Sequence, residues 1–208
     1  MTNKPLLITG SSGFFGDILK KQLLTQGYTC VGLDLHNDDY SHPNLVTVQG
    51  DIRDPKLVKR LFNEHKFDAV FHCAAMLAHD IPDKNLLWES NVEGTRNVAN
   101  AAVESETDKF IFTSSNCLWG QSFGRPVQEN DVPNPVEIYG LSKLEAEKSI
   151  DLHLENILNL SIINKELIQQ KNYKVAIDCA NGSASIALQK LLKKLGCKVI
   201  KINSDYSE

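Results

Sequence analysis

The chain opens on an apolar run, Leu6-Leu-Ile8, that stops at a set of glycines. From there to Ser114 short apolar segments alternate with stretches whose apolar positions recur every three or four residues. This alternation predicts strands joined by helices, and hence a parallel sheet covered on both faces. Strands are predicted at Leu6–Thr9, within Tyr28–Leu35 with its end at Asp34, and at Leu45–Gln49, Asp68–Cys73 and Lys109–Ser114. The last contains Phe110-Ile-Phe112 unbroken, the pattern of a central strand buried on both faces. Helices are predicted at Phe14–Gln26, at Pro55–His65 with Asp54 as N-cap and Pro55 at N1, at Asn85–Val103, and from near Glu137 past Lys148. Asn116–Pro135 is a loop carrying proline and glycine.

Beyond residue 150 the pattern continues but its character changes. Asp151–Lys171 reads as helix interrupted near Ser161, Tyr173–Asp178 as a strand, Ser183–Leu195 as a helix closed by Gly196 at C′, and Lys198–Asn203 as a further strand. Residues 1–150 carry 14 basic and 20 acidic side chains, residues 151–208 carry 8 and 6, and no arginine follows Arg125. The expected fold is α/β, a three-layer Rossmann-like doubly wound parallel sheet extended by a C-terminal β-α-β unit. Two segments are expected, 1–150 and 151–208, with the second packed onto the same sheet.

Composition narrows the function classes. At 208 residues and 42% hydrophobic content the chain can bury a core, and a net charge of −4 indicates neither nucleic acid nor an anionic membrane as partner. Pro5–Ile8 is far too short for a signal segment and no apolar run reaches membrane-spanning length, so a cytoplasmic location is expected. Cys30, Cys73, Cys117, Cys179 and Cys197 are odd in number and widely spaced, which reads as reduced thiols. No metal site is expected from the cysteines or the six histidines.

Chemistry concentrates in two places. In Leu6–Gly16 the glycines fall three apart, where Gly10 would provide a turn with positive φ, Gly13 a close approach of backbone to a pyrophosphate, and Gly16 close packing of helix on strand. A glycine-rich turn of purely structural purpose is the alternative; Asp34, 18 residues past Gly16 at the end of the second strand, is placed to bind a ribose. The second place is Ser115 with Tyr139-Gly-Leu-Ser-Lys143. Tyr139 and Lys143 share a helix face, so the ammonium is expected to favour the phenolate and make Tyr139 a general base, with Ser115 donating to the same substrate oxygen. An exposed helical pair is the alternative. His72 reads as a polar strand end, Cys73 and Cys117 as packing residues, and Asp38-Asp39 as a solvated loop.

Taken together, Ile8-Thr-Gly-Ser-Ser-Gly-Phe-Phe-Gly16, Asp34, Gly50-Asp51-Ile52, His72-Cys-Ala-Ala75, Asn91-Val-Glu-Gly-Thr95, Ser114-Ser115 through Trp119-Gly120, and Tyr139-x-x-x-Lys143 resemble the extended short-chain dehydrogenase/reductases. These are NAD-dependent epimerases and dehydratases of nucleotide sugars. Trp119 stands where members usually have tyrosine. The resemblance implies NAD held by Gly10, Ser12, Gly13, Phe14, Phe15, Gly16 and Asp34, with Asp51 and Ile52 flanking the adenine, Ala74 and Ala75 lining the cleft and Asn91 supporting the cofactor loop. It further implies Ser115 and Tyr139 as the catalytic pair and Lys143 on the nicotinamide ribose. A nucleotide sugar is the implied substrate; a homodimer is compatible with the sequence, which does not fix the oligomeric state. In that family the Tyr/Lys helix leads to another strand and a substrate lobe, and here 65 residues follow Lys143. Residues 151–204, with Lys174-Val-Ala-Ile-Asp-Cys-Ala-Asn-Gly182 and Leu195-Gly-Cys-Lys-Val-Ile-Lys-Ile-Asn203, instead resemble the second domain of phosphohexomutases, though without a phosphoserine loop or metal-binding aspartates. The expectation is a composite chain that binds NAD, with impaired turnover, and with Lys174–Asp178 taking the place of the next strand of the first sheet.

Overall fold

The computed structural model describes residues 4–78, 83–120, 123–128, 131–158, 165–178 and 192–202, and it divides into two compact units, Met1–Asp151 and Leu152–Glu208. In the first unit β1 (Leu6–Thr9), β2 (Cys30–Asp34), β3 (Leu45–Gln49), β4 (Ala69–His72) and β5 (Lys109–Phe112) form one parallel sheet in the order β3-β2-β1-β4-β5. The sheet is doubly wound, with its chain reversal between β1 and β4. Its strands and those inferred from the sequence coincide to within two residues.

Period-two alternation sends β1 to two cores. Leu7, Val31, Leu33 and Val70 pack with Val58, Leu61 and Phe62 of α2 (Pro55–Glu64) and Val98, Ala101 and Ala102 of α4 (Thr95–Glu104). Leu6, Ile8, Cys30 and Ala69 face the other way and meet Leu23 and Leu24 of α1 (Phe14–Thr25). Each such fully buried aliphatic contributes about 1.5–3 kcal/mol. The Asp54 side chain accepts from the N–H groups of Lys56 and Leu57, capping α2.

Two departures from the sequence reading have physical causes. β5 is the edge and not a central strand of the five-stranded order, so Phe110, Ile111 and Phe112 are only partly buried, although Phe110 packs into one core and Ile111 into the other. The helix read over Asn85–Val103 is three pieces: α3 (Lys84–Trp88), a π-helical turn (Glu89–Gly94) and α4. The wider turn inserts an extra residue that hydrophobic periodicity does not register. In the second unit β6 (Lys174–Asp178) pairs in parallel with β7 (Lys198–Ile202) in a two-stranded sheet.

α5 (Ile138–Leu158) runs past Lys148, and α6 (Lys165–Lys171) follows. The interruption read at Ser161, Cys179, the Gly182–Ser185 stretch, most of the Ser183–Leu195 helix and Asn203 lie outside the described residues. Its predicted C′ glycine is present: Gly196 has φ of +75°, and Gly196 and Cys197 donate to the Lys193 and Leu192 carbonyls in the double bond of a Schellman closure. No described helix is long and apolar enough to cross a membrane.

Candidate active site

The carboxyl ends of β1, β2 and β4 open onto a cavity of about 800 Å³. Its floor is the glycine turn. Gly10 has φ of +69°, and a Cβ there would lie 2.8 Å from the Ala74 nitrogen; a Cβ on Gly16 would lie 2.0 Å from the Gly10 carbonyl oxygen. Both positions are therefore held to glycine by backbone crowding. Gly13 differs: its Cβ would meet only the Gly10 oxygen at 3.3 Å, so space remains on its cavity side. As N-cap of α1 it offers no side-chain acceptor, and the first N–H groups of the helix are left for an anion. Ser12, Gly13, Phe14, Phe15 and Gly16 all line the cavity, and the buried Ser12 hydroxyl has no protein partner.

Asp34 lines the same cavity and is oriented by two backbone donors, Ser12 N–H at 2.9 Å and His36 N–H at 2.9 Å. Each carboxylate oxygen keeps a further lone pair for a diol. Ile52, Ala74 and Ala75 are lining residues as well. Asp51 and Asn91 are not: the Asp51 carboxylate is gripped by the Arg53 guanidinium and backbone, and Asn91 works from behind.

Tyr139 and Lys143, from the first turns of α5, close the other end. The Ser115 side chain lies near enough to the Tyr139 phenol to favour its ionised form, although it does not line the cavity. The expected electrostatics do not hold. Burial pushes the Tyr139 phenol above its ordinary pKa, the neighbouring Ser115 side chain opposes this, and Cys117 adds to it. Lys143 is itself buried, which pulls its ammonium down to about 8, and its Nζ lies 4.0 Å from the centre of the Phe112 ring. Desolvation overrides a neighbouring charge because water no longer stabilises either ionised form.

A buried hydrogen-bond chain supports this assembly. The Ala74 N–H donates to Thr9 Oγ1 at 3.3 Å, which bonds His72 Nδ1 at 2.7 Å; His72 Nε2 bonds Thr95 Oγ1 at 2.9 Å, and Thr95 donates to the Asn91 carbonyl at 2.7 Å. Thr95 spends its one proton on Asn91, so His72 must carry its hydrogen on Nε2 and accept from Thr9 at Nδ1. Asn91 then accepts from the Met76 N–H, donates to the Met76 carbonyl and to Ser142 Oγ, and Ser142 donates to the Tyr139 carbonyl. The π-helical turn places Asn91 for this, and Gly94 in the same turn permits close contact with Ile52. His72 and Ser142 were not read as site residues, and no short-range signal marks them. Burial, then the Lys143 charge, lowers the His72 pKa to about 3. Its imidazole is expected to stay neutral in nitrogen NMR spectra to below pH 5, and stability should fall with acidification between the unfolded value of 6.5 and the folded value of about 3. A ring titrating near 6.5 in the folded chain would refute this.

Among the described residues no group of His, Cys, Asp and Glu side chains could hold a metal ion. Residues 6–164 match the model of the NAD dependent epimerase/dehydratase family. The chain belongs to that family. The orphaned Ser12 hydroxyl, the open face of Gly13 and the oriented Asp34 carboxylate fit its cofactor, NAD. An uncharacterized protein of Sinorhizobium fredii is 37% identical over 174 residues, covering 84% of this chain and 40% of that one. The UDP-glucose 4-epimerase of Halalkalibacterium halodurans is 32% identical over 149 residues, 69% and 44%. The chain thus spans less than half the length of either relative. The crystal structure of the Bordetella bronchiseptica enzyme WbmG in complex with NAD and UDP superposes with a TM-score of 0.67 at 26% identity, covering 73% of this chain and 50% of that one.

Proposed function

We propose that residues 1–150 form an NAD-binding domain and that its site carries out hydride transfer on a nucleotide sugar. One observation carries this reading: a single cavity joins the glycine turn and Asp34 at one end to Tyr139 and Lys143 at the other. NAD, when bound, supplies the hydride acceptor. Tyr139, in its ionised form and with the Ser115 side chain beside it, would accept the proton of the sugar hydroxyl that is oxidised to a ketone. Lys143 holds the nicotinamide ribose and supplies positive charge. Gly10–Gly16, Ile52, Ala74 and Ala75 enclose the cofactor, with Asp51 beside the adenine and Asn91 fixing the loop at Met76. The setting proposed is cytoplasmic, with a homodimer as the assembly.

Asp34 accepts from ribose hydroxyls and repels a 2′-phosphate, so NAD is expected to bind far more tightly than NADP. Calorimetric titration with both cofactors, followed by UDP- and dTDP-sugars with reduced nicotinamide as readout, tests the assignment. Equal affinity for the two cofactors would remove Asp34 from it.

A second reading is a chimeric NAD-binding scaffold with little or no turnover, its tail drawn from a phosphohexomutase-like domain. The separate pairing of β6 with β7 and the end of the family match at residue 164 favour it. Vigorous turnover by these 208 residues would exclude it.

A further inference from the structure

Lys20 lies in the middle of α1 and is fully buried. Its ammonium has three donors and three acceptors: the Ser11 carbonyl at 3.1 Å, Asp17 Oδ1 at 3.1 Å and the Asp38 carboxylate. Ser11 belongs to the glycine turn, and its side chain is wedged against Gly32 of β2, where a Cβ would come within 2.6 Å of the Ser11 hydroxyl. Asp38 belongs to the loop after β2, whose Leu35, His36 and Asn37 line the cavity beside Asp34. The other Asp38 oxygen accepts from the Tyr40 N–H at 3.0 Å, and the Tyr40 ring lies over both Lys20 and Lys21. One buried cation therefore ties the turn under the pyrophosphate to the loop beside the ribose.

We propose that Lys20, through Asp38, is a positioning residue for the adenosine half of the cofactor: it fixes the spacing between the glycine turn and the loop that follows Asp34. The inference rests on the reading of the cavity as an NAD site. Without the clasp, residues 35–40 must be ordered anew at each binding event, and that entropy is subtracted from affinity. Lys20 itself touches no cofactor atom in this account.

The test uses the full chain, NAD and ADP-ribose. Asp38→Ala releases the loop and leaves Lys20 with Asp17 and Ser11; it should lower the melting temperature, so its affinity is read where melting shows it folded. Its affinity for NAD and for ADP-ribose should fall alike, by roughly tenfold, at temperatures well below unfolding. Asp38→Asn, which keeps an oxygen for the ammonium, should recover most of that loss. In Lys20→Met/Asp38→Leu the ion pair is replaced by apolar groups, a change that is often neutral for folding, and Asp17 retains Lys21 at 2.6 Å. That double variant should melt near the unaltered chain yet bind both ligands as weakly as Asp38→Ala. Chymotryptic cleavage after Tyr40 should quicken in both loop-released variants. Unchanged affinity in folded Asp38→Ala or in the double variant overturns the role of Lys20. Failure of the unaltered chain to bind NAD or ADP-ribose sinks the cofactor reading itself.

Discussion

Gly16→Ala is expected to unfold the glycine turn, whereas Gly13→Val is expected to keep the fold and lose the cofactor. The difference lies in what each new Cβ meets. At Gly16 it would lie 2.0 Å from the Gly10 oxygen and 2.8 Å from the Gly10 carbonyl carbon, backbone atoms that cannot swing aside as a side chain can. The turn must open or α1 must lift off β1, at a cost of about 3 kcal/mol or more. At Gly13 the backbone is ordinary, with φ of −71°, and the nearest atom stands at 3.3 Å. Loss of a favourable N-cap costs about 1 kcal/mol, but the isopropyl group fills the space where backbone should meet pyrophosphate. Thermal melting and NAD titration on the pair separate the effects. Retained affinity in Gly13→Val would strike the glycine turn from the account.

Tyr139→Phe should abolish any turnover and leave NAD affinity nearly unchanged, because the ring still packs and only the proton acceptor is gone. Since burial raises the phenol pKa, turnover in the unaltered chain should climb with pH. Lys143→Met tests the other half and carries the opposite sign for stability. The folded chain holds the Lys143 proton only to about pH 8, against 10.5 for the free group. Below about 8 the folded state bears the full cost of a buried ammonium. Between the two values the unfolded chain binds more protons, so stability rises with pH. Replacing the ammonium by a thioether should thus stabilise the protein at pH 7 by on the order of 3 kcal/mol while weakening NAD binding, and the gain should shrink as pH approaches 10.5. Urea midpoints across that range check it; a destabilised variant at pH 7 would show that Lys143 is better solvated than its surroundings imply.

The strands, the glycine turn, Asp34 and the Tyr139/Lys143 pair were legible because each is a local signal: a period, a spacing, a residue type with one conformational use. Long-range consequences were not. Asp38 reads as part of a solvated loop, yet it meets Lys20 of α1 in the interior across 18 residues of sequence. The phenol–ammonium coupling inferred from a four-residue spacing ignored burial, which only the packed β5, α5 and cavity supply. The π-helical turn was hidden because its extra residue changes geometry without changing composition.

The hydrogen-bond chain through His72 has a backbone N–H at one end and a backbone carbonyl at the other. Neither terminus can exchange a proton, so every hydrogen between them is locked in one direction. The imidazole is thereby insulated. It cannot serve as a relay to the cavity, for a proton entering at Nδ1 would have to expel one through an amide carbonyl. A residue type usually suspected of acid–base work is here wired as a strut between β4 and the π-helical turn.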